Sequence, residues 1–233
     1  CGGAACAADR RAPAPVPVVT GAGRAAATRP MRVGILCYPT YGGSGAVATE
    51  MGRALAAAGH TVHLFSYASP FRMGEAPRGL HFHQAEVFTY PLFRYPSYDL
   101  ALASCVVEVA RREGLDVLHA HYAVPHAVSA LLARESLGDP GPAVVTTLHG
   151  TDVTLVGAES SYGPVIRWSL SRSDAVTAVS RHLAEATTEL FAPDAEIRVV
   201  PNFVDTGRFR PRDGSRDAWV AGKGPTLIHL SNF

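Results

Sequence analysis

Cysteine is sparse in this chain. Cys1, Cys6, Cys37 and Cys105 form no CxxC pair, so neither a disulfide framework nor a zinc knuckle is expected. Cys37 and Cys105 lie in apolar surroundings and read as small buried hydrophobes. No apolar run approaches the roughly 20 residues that cross a bilayer, so no membrane partner is expected. Charge of one sign is lacking too. The 21 Lys and Arg against 20 Asp and Glu give a net charge of +1, with no basic stripe to track a phosphate backbone, and nucleic acid is excluded as a partner. Nucleophile-elbow, Walker and kinase signatures are missing, as is a carboxylate pair suited to glycoside hydrolysis.

What is present is a chain of 233 residues that is 47% hydrophobic, enough to bury a core. Residues 1–30 are rich in Ala, Pro, Gly and Arg and have no hydrophobic periodicity. They read as a disordered extension, upstream sequence read in frame before Met31, without the continuous apolar segment of a secretory signal. The expectation is a soluble, cytoplasmic protein.

From Met31 the pattern alternates. "RVGILCY" is a compact apolar strand; Gly42, Gly43, Ser44 and Gly45 follow, then a helix with Val47, Met51, Leu55 and Ala58 on its expected buried face, stopped by Gly59. "TVHLFSYA" and "LHFHQAEV" read as strands, and residues 98–113 as a helix with Leu102, Val106, Val109 and Ala110 on one stripe, ended by Gly114. "LDVLHAH" is the next strand. A helix from Pro125 to about Leu137 starts on proline, which suits a first turn. "AVVTTLHG", "AVTAVS" and "IRVVPN" are further strands, with helices near 162–172 and 181–191. Strands alternating with helices of this length imply an α/β fold, a doubly wound parallel sheet of Rossmann type. The expected division is a domain over 31–204, a linker over 205–224, and over 225–233 the first strand of a truncated second domain.

In such a sheet ligands collect beyond the carboxyl ends of the strands. Two stretches, "HAHYAVPH" and "VTTLHGTD", put His119, His121, Tyr122, Thr147, His149 and Asp152 there. The glycine loop enters a helix N-terminus, where free N–H groups and the helix dipole favour an anion; the alternative is a tight turn in which Ser44 caps the helix. "GGSGAV" lacks the GxGxxG spacing, and strand two ends Phe65, Ser66, Tyr67 without the acidic residue that holds a ribose, against a dehydrogenase. His119, His121 and His126 have a spacing that can hold a metal, but no Cys or carboxylate completes the set, and none is expected. His119 and His121 read as packed, hydrogen-bonded histidines as readily as catalytic ones. The Tyr122 hydroxyl is expected to reach a ligand over the glycine loop, and His149 to bond a substrate hydroxyl or stabilise developing charge.

In order, "CYPTYGGSG", "PFR", "YPSYDLALAS", "HAHYAVPHA", "VTTLHGTD", "TAVS", "NFVD" and "HLSNF" resemble the retaining GT-B glycosyltransferases of family 4. Within that family they resemble the branch that glycosylates L-malate on the route to bacillithiol. The resemblance runs from Met31 to Phe233. It implies transfer of N-acetylglucosamine from UDP-N-acetylglucosamine, a co-substrate, to the malate hydroxyl, with no metal or other cofactor. It places malate contacts on Ser44, Tyr122, Thr147 and Asn232, the sugar contact and catalytic role on His149, and the diphosphate near Gly42 and Gly43. The family's basic diphosphate residues, an arginine for malate and a pair of glutamates fall beyond Phe233, so the C-terminal domain is an expected partner and this length of chain is expected not to turn over. A homo-oligomer is allowed. Other acceptors, inositol phosphate or a lipid-linked sugar, are disfavoured because "TYGGSGAVATEMG" holds no Lys or Arg. The remaining alternative is a non-catalytic α/β binding module.

Overall fold

The computed structural model of the chain describes residues 29–40, 42–92, 94–154, 159 and 161–210. Expectations for residues 1–28, for 211–224, and for the strand at 225–233 with Asn232 lie outside these residues. The elements run β1 Arg32–Leu36, α1 Gly43–Ala57, β2 Thr61–Ser66, β3 Leu80–Gln84, α2 Tyr98–Glu113, β4 Val117–His121, α3 Val128–Leu137, β5 Ala143–Leu148, α4 Thr151–Thr154, α5 Gly163–Arg172, β6 Ala175–Ala178, α6 Arg181–Phe191 and β7 Ile197–Val199. All strand pairings are parallel, in the order β3-β2-β1-β4-β5-β6-β7. Order reverses between β1 and β4, which opens a crevice at their carboxyl ends.

Chain direction decides which face each helix covers. The step from β1 to β2 runs one way along the sheet and every step after β3 runs the other, so right-handed crossovers put α1 on one face and the later long helices on the opposite one. Side-chain alternation agrees. Val33, Ile35, Val62 and Leu64 pack with Ala48 and Ala56 of α1. Leu36, Phe65, Leu118 and Val144 pack with Leu102, Val106 and Leu131 of α2 and α3. Leu148 and Val176 pack with Ile166, Leu170 and Leu183 of α5 and α6. Each fully buried Leu or Ile here stabilises by about 1.5–3 kcal/mol, whereas an exposed ion pair such as Arg112 with Glu113 is screened by solvent and adds little. The described fold is held by burial.

Three local expectations change. The buried face of α1 is Ala48, Gly52 and Ala56, with Val47, Met51 and Leu55 at its flanks and Ala58 exposed. Small residues let the helix sit close on the sheet: a methyl on Gly52 would lie 3.3 Å from Leu80 Cδ1 and 3.6 Å from Ile35 Cδ1. Pro125 does not open the α-helix. The Val124–Pro125 peptide is cis, a wide turn spans Ala123–Ala127, and α3 proper begins at Val128. Cys37 is fully buried, but Cys105 is half-buried. The four-residue α4 had no sequence-based expectation.

Candidate functional site

The site grows from three strand ends. At the end of β1, Gly42 takes the helix-cap position of α1 with no side-chain cap and no acidic residue in the first turn. Ser44 is the second helical residue, buried at 8% exposure, so it does not cap the helix as one reading had it. The amides of Gly43, Ser44 and Gly45 come before the Ala46 N–H, which bonds the Gly42 carbonyl at 3.3 Å. They belong to the first turn, where amides lack helical acceptors and the dipole is positive. Gly45 is required by packing, since a methyl there would sit 2.4 Å from the Tyr38 carbonyl oxygen, whereas one on Gly43 would meet nothing within 4 Å. Space above Gly43 is therefore open to a ligand.

At the end of β4 the chain turns sharply at Tyr122, whose φ of 96° is rare for a residue with a side chain. Its N–H donates to the Thr147 carbonyl at 3.0 Å and its carbonyl accepts from the Ala127 N–H at 3.1 Å, so bonds on both sides hold the strained conformation. The turn lays the phenol ring parallel to the His149 imidazole, centroids 5.6 Å apart at 17°. The Tyr38 ring meets it edge-on at 5.3 Å. The Tyr122 hydroxyl bonds Thr151 Oγ1 at 2.6 Å, a partner not foreseen from the sequence.

At the end of β5, Asp152 is fully buried and accepts the N–H groups of Gly150 at 2.8 Å and His149 at 3.2 Å. Burial raises its pKa while these amides pull it back. Its place three residues after His149, at the start of a helix, is the sequence signal of such a loop clamp. Beneath the loop runs a polar network. Thr147 Oγ1 bonds His119 Nε2 and Thr177 Oγ1, both at 2.7 Å, which leaves its hydroxyl one of three bonding positions. His121 Nδ1 meets His149 Nε2 at 2.8 Å, and His126 Nδ1 donates to the His121 carbonyl at 2.6 Å. Burial pushes the pKa values of His119, His126 and His149 down to about 4, and burial with neighbouring histidines holds His121 well below the usual imidazole range. These rings are neutral near pH 7, donors and acceptors rather than cations. Among the described residues no three His, Cys, Asp or Glu side chains are grouped to hold a metal.

The structure thus brings Gly42, Gly43, Ser44, Tyr122, Thr147 and His149 to one end of three adjacent strands. Tyr38, Thr151, Asp152 and Thr177 join them, and Tyr38 is the one for which the sequence offers only its place after an apolar strand. A hollow of about 810 Å³ lies elsewhere, around Leu100, Ser104, Arg111 and Leu132 on the outer side of α2 and α3. It contains no strand end, no open helix terminus and no histidine, so volume alone is a poor guide here. The strand-end site has the convergent polar groups that ligand recognition needs.

Sheet order, crossovers and site position define a Rossmann-like α/β domain of the GT-B glycosyltransferase type. The profile of Glycosyltransferase Family 4 matches residues 41–208, and the chain belongs to that family. It is 45% identical over 206 residues to N-acetyl-alpha-D-glucosaminyl L-malate synthase of Bacillus anthracis, a match covering 87% of this chain and 54% of that protein. A glycosyltransferase from Rickettsia africae ESF-5 superposes with a TM-score of 0.60 at 18% identity, covering 81% of this chain and 47% of the other. Anabaena Alr3699/HepE, solved in complex with UDP and glucose, superposes with a TM-score of 0.60 at 14% identity, covering 78% and 47%. This chain spans about half the length of these relatives.

Proposed function

We propose that the chain is the acceptor-binding part of a retaining glycosyltransferase that moves N-acetylglucosamine from UDP-N-acetylglucosamine to the hydroxyl of L-malate. The observation that carries the reading is the 45% identity to the N-acetyl-alpha-D-glucosaminyl L-malate synthase of Bacillus anthracis, and the site geometry supports it. In the proposed arrangement the open first turn of α1 and the Ser44 hydroxyl take a carboxylate, and the diphosphate lies by Gly42 and Gly43. Tyr122 and Thr147 orient malate, with Asn232 as a further contact, and His149 bonds the sugar. Catalysis follows from positioning and charge stabilisation by main-chain amides and neutral donors. The reading includes no metal, and chelator is expected to leave the rate unchanged. It places the protein in the cytoplasm, where sugar nucleotides are made.

Acceptor choice is argued from charge. Arginines on or paired with α1 are engaged elsewhere: Arg53 donates to the Met73 and Glu75 carbonyls, and Arg72 and Arg208 pair with Glu50. A phosphorylated acceptor would need such cations at the glycine loop. The test uses a protein spanning the full length of the relatives, given UDP-N-acetylglucosamine with either L-malate or inositol phosphate, and product mass as readout. Glycosyl-malate is expected; product from inositol phosphate alone would overturn the acceptor. The 233-residue chain by itself is expected to show malate binding by calorimetry and no turnover.

A further inference from the structure

Two facing imidazole nitrogens share one proton, and the surroundings decide which ring supplies it. His121 Nδ1 and His149 Nε2 are 2.8 Å apart. His121 is 1% exposed, and its other nitrogen, Nε2, is buried without a hydrogen-bonding partner. Were His149 to donate through Nε2, a neutral His121 would carry its own proton on Nε2 as an N–H stranded in the interior. A buried N–H without an acceptor is rarer and costlier than a bare lone pair. His126 resolves the same choice in the same way. Its Nδ1 lies 2.6 Å from the His121 carbonyl oxygen, which can only accept, so its proton is on Nδ1 and its equally buried Nε2 is bare.

We infer that His121 is a positioning residue: it donates from Nδ1 to His149 Nε2, holds the His149 proton on Nδ1, and so makes His149 a neutral N–H donor toward the cleft. The largely buried His149 ring then has one polar atom left for a ligand, and that atom can only donate. It selects an uncharged oxygen acceptor, a hydroxyl or an amide carbonyl, and it does not act as a base, because its bare nitrogen is already occupied. Neutrality of both rings follows from their burial. Tyr122 and His121 stacked against the ring hold its plane, and Asp152, accepting the His149 backbone N–H, holds the loop that carries it. Assigning the acceptor to an oxygen of the donor sugar rests on the function proposed above; the position of the proton does not.

Long-range proton–nitrogen NMR on the chain with isotope-labelled histidine, assigned against His149→Gln, reads each nitrogen directly. At neutral pH, His149 Nδ1 is expected to be protonated and Nε2 bare. His121→Leu removes the donor and shifts the His149 proton toward Nε2, the form a free side chain prefers. His121→Asn, whose amide can donate in place of the imidazole, restores it. A wild-type His149 with its proton on Nε2, or on both nitrogens, overturns the inference, as does an unchanged tautomer in a folded His121→Leu variant. If that variant does not fold, the wild-type spectrum still decides. In a protein spanning the relatives' full length, His121→Leu is expected to lower kcat/KM with UDP-N-acetylglucosamine and L-malate about tenfold, and His121→Asn to recover most of it. No loss in the leucine variant would overturn the positioning role. No transfer by the wild type would instead sink the proposed function and leave the NMR result standing.

Discussion

Strands β3 and β4 carry the same His-x-His pattern, His81 with His83 and His119 with His121, and each pattern supplies one imidazole to a histidine of the neighbouring strand. His83 Nε2 meets His63 Nδ1 at 2.8 Å, and His121 Nδ1 meets His149 Nε2 at 2.8 Å. Burial and neighbouring histidines lower His63 to about 4, and burial alone does the same to His149. As isolated pairs they are chemically alike. Their places differ. His63 is in register with Gly34 in the middle of β1, stacked against His81 and His83 on the edge half of the sheet, inside a strand paired on both sides. His121 ends β4, and the chain leaves the sheet at once through Tyr122. Only there do loop amides, an open helix terminus and aromatic faces gather. A histidine pair within the sheet is packing; the same pair where strands stop becomes part of a site.

That contrast can be broken or sharpened by experiment. The largest expected effect is on transfer in a protein of the relatives' full length. His149→Ala is expected to lower kcat about 10²–10³-fold, as loss of a charge-stabilising donor does, whereas His83→Ala leaves kcat unchanged. Equal losses from both would erase the distinction drawn between the pairs.

Acid stability comes next. His63 at 2% and fully buried His126 both have folded pKa values lowered from 6.5 to about 4. A base with a depressed folded pKa adds stability that is complete above its unfolded pKa and lost as pH falls toward the folded one. Each group then contributes on the order of 3 kcal/mol, lost between about pH 6.5 and pH 4. Urea unfolding across that window should show a steep decline. Replacing His63 and His83 together by leucine should remove part of the decline and leave the share of the strand-end histidines. A decline abolished by that double variant would show that the strand-end histidines contribute nothing to it.

A smaller effect is expected within α1. Gly45→Ala drives a methyl into the Tyr38 carbonyl and should cost about 1–3 kcal/mol in urea unfolding. Gly43→Ala meets open space and should leave stability unchanged while weakening malate binding measured by calorimetry. The smallest is Asp152→Asn, about 1 kcal/mol, because burial already disfavours the carboxylate. Its sign opposes the histidines. An acid with a raised folded pKa loses stability as pH climbs from its unfolded value through the folded one, so the variant should gain on the wild type over that rise.

Much of the architecture was legible. Every described strand falls on a segment read as a strand, and inner strands such as β1 and β2 are short and mostly apolar because both their faces are buried. The stripe on α2 was correct because large residues there face a wide gap. The stripe on α1 was correct only in part: Met51 and Leu55 pack at the margin of the core, while the fully buried positions against the sheet include Ala48, Gly52 and Ala56. Hydrophobic size marks a buried face only where the elements stand far enough apart to fit it. Among site residues, Tyr122 and His149 were legible from their position just past strand ends. His121 was legible in the same way, but its pairing with His149 and that of Tyr122 with Thr151 were not, since a bond across two loops or two strands leaves no periodic trace.

The order of strands and helices, the direction of their crossovers and the end of the sheet at which a ligand belongs all follow from local pattern and chain chirality, which are properties of short segments. Which of two identical histidine motifs joins the site, and where its proton resides, depends on strand register and on which nitrogen is buried without a partner. Those are relations between residues 28 apart in the chain for His121 and His149, and packing alone creates them.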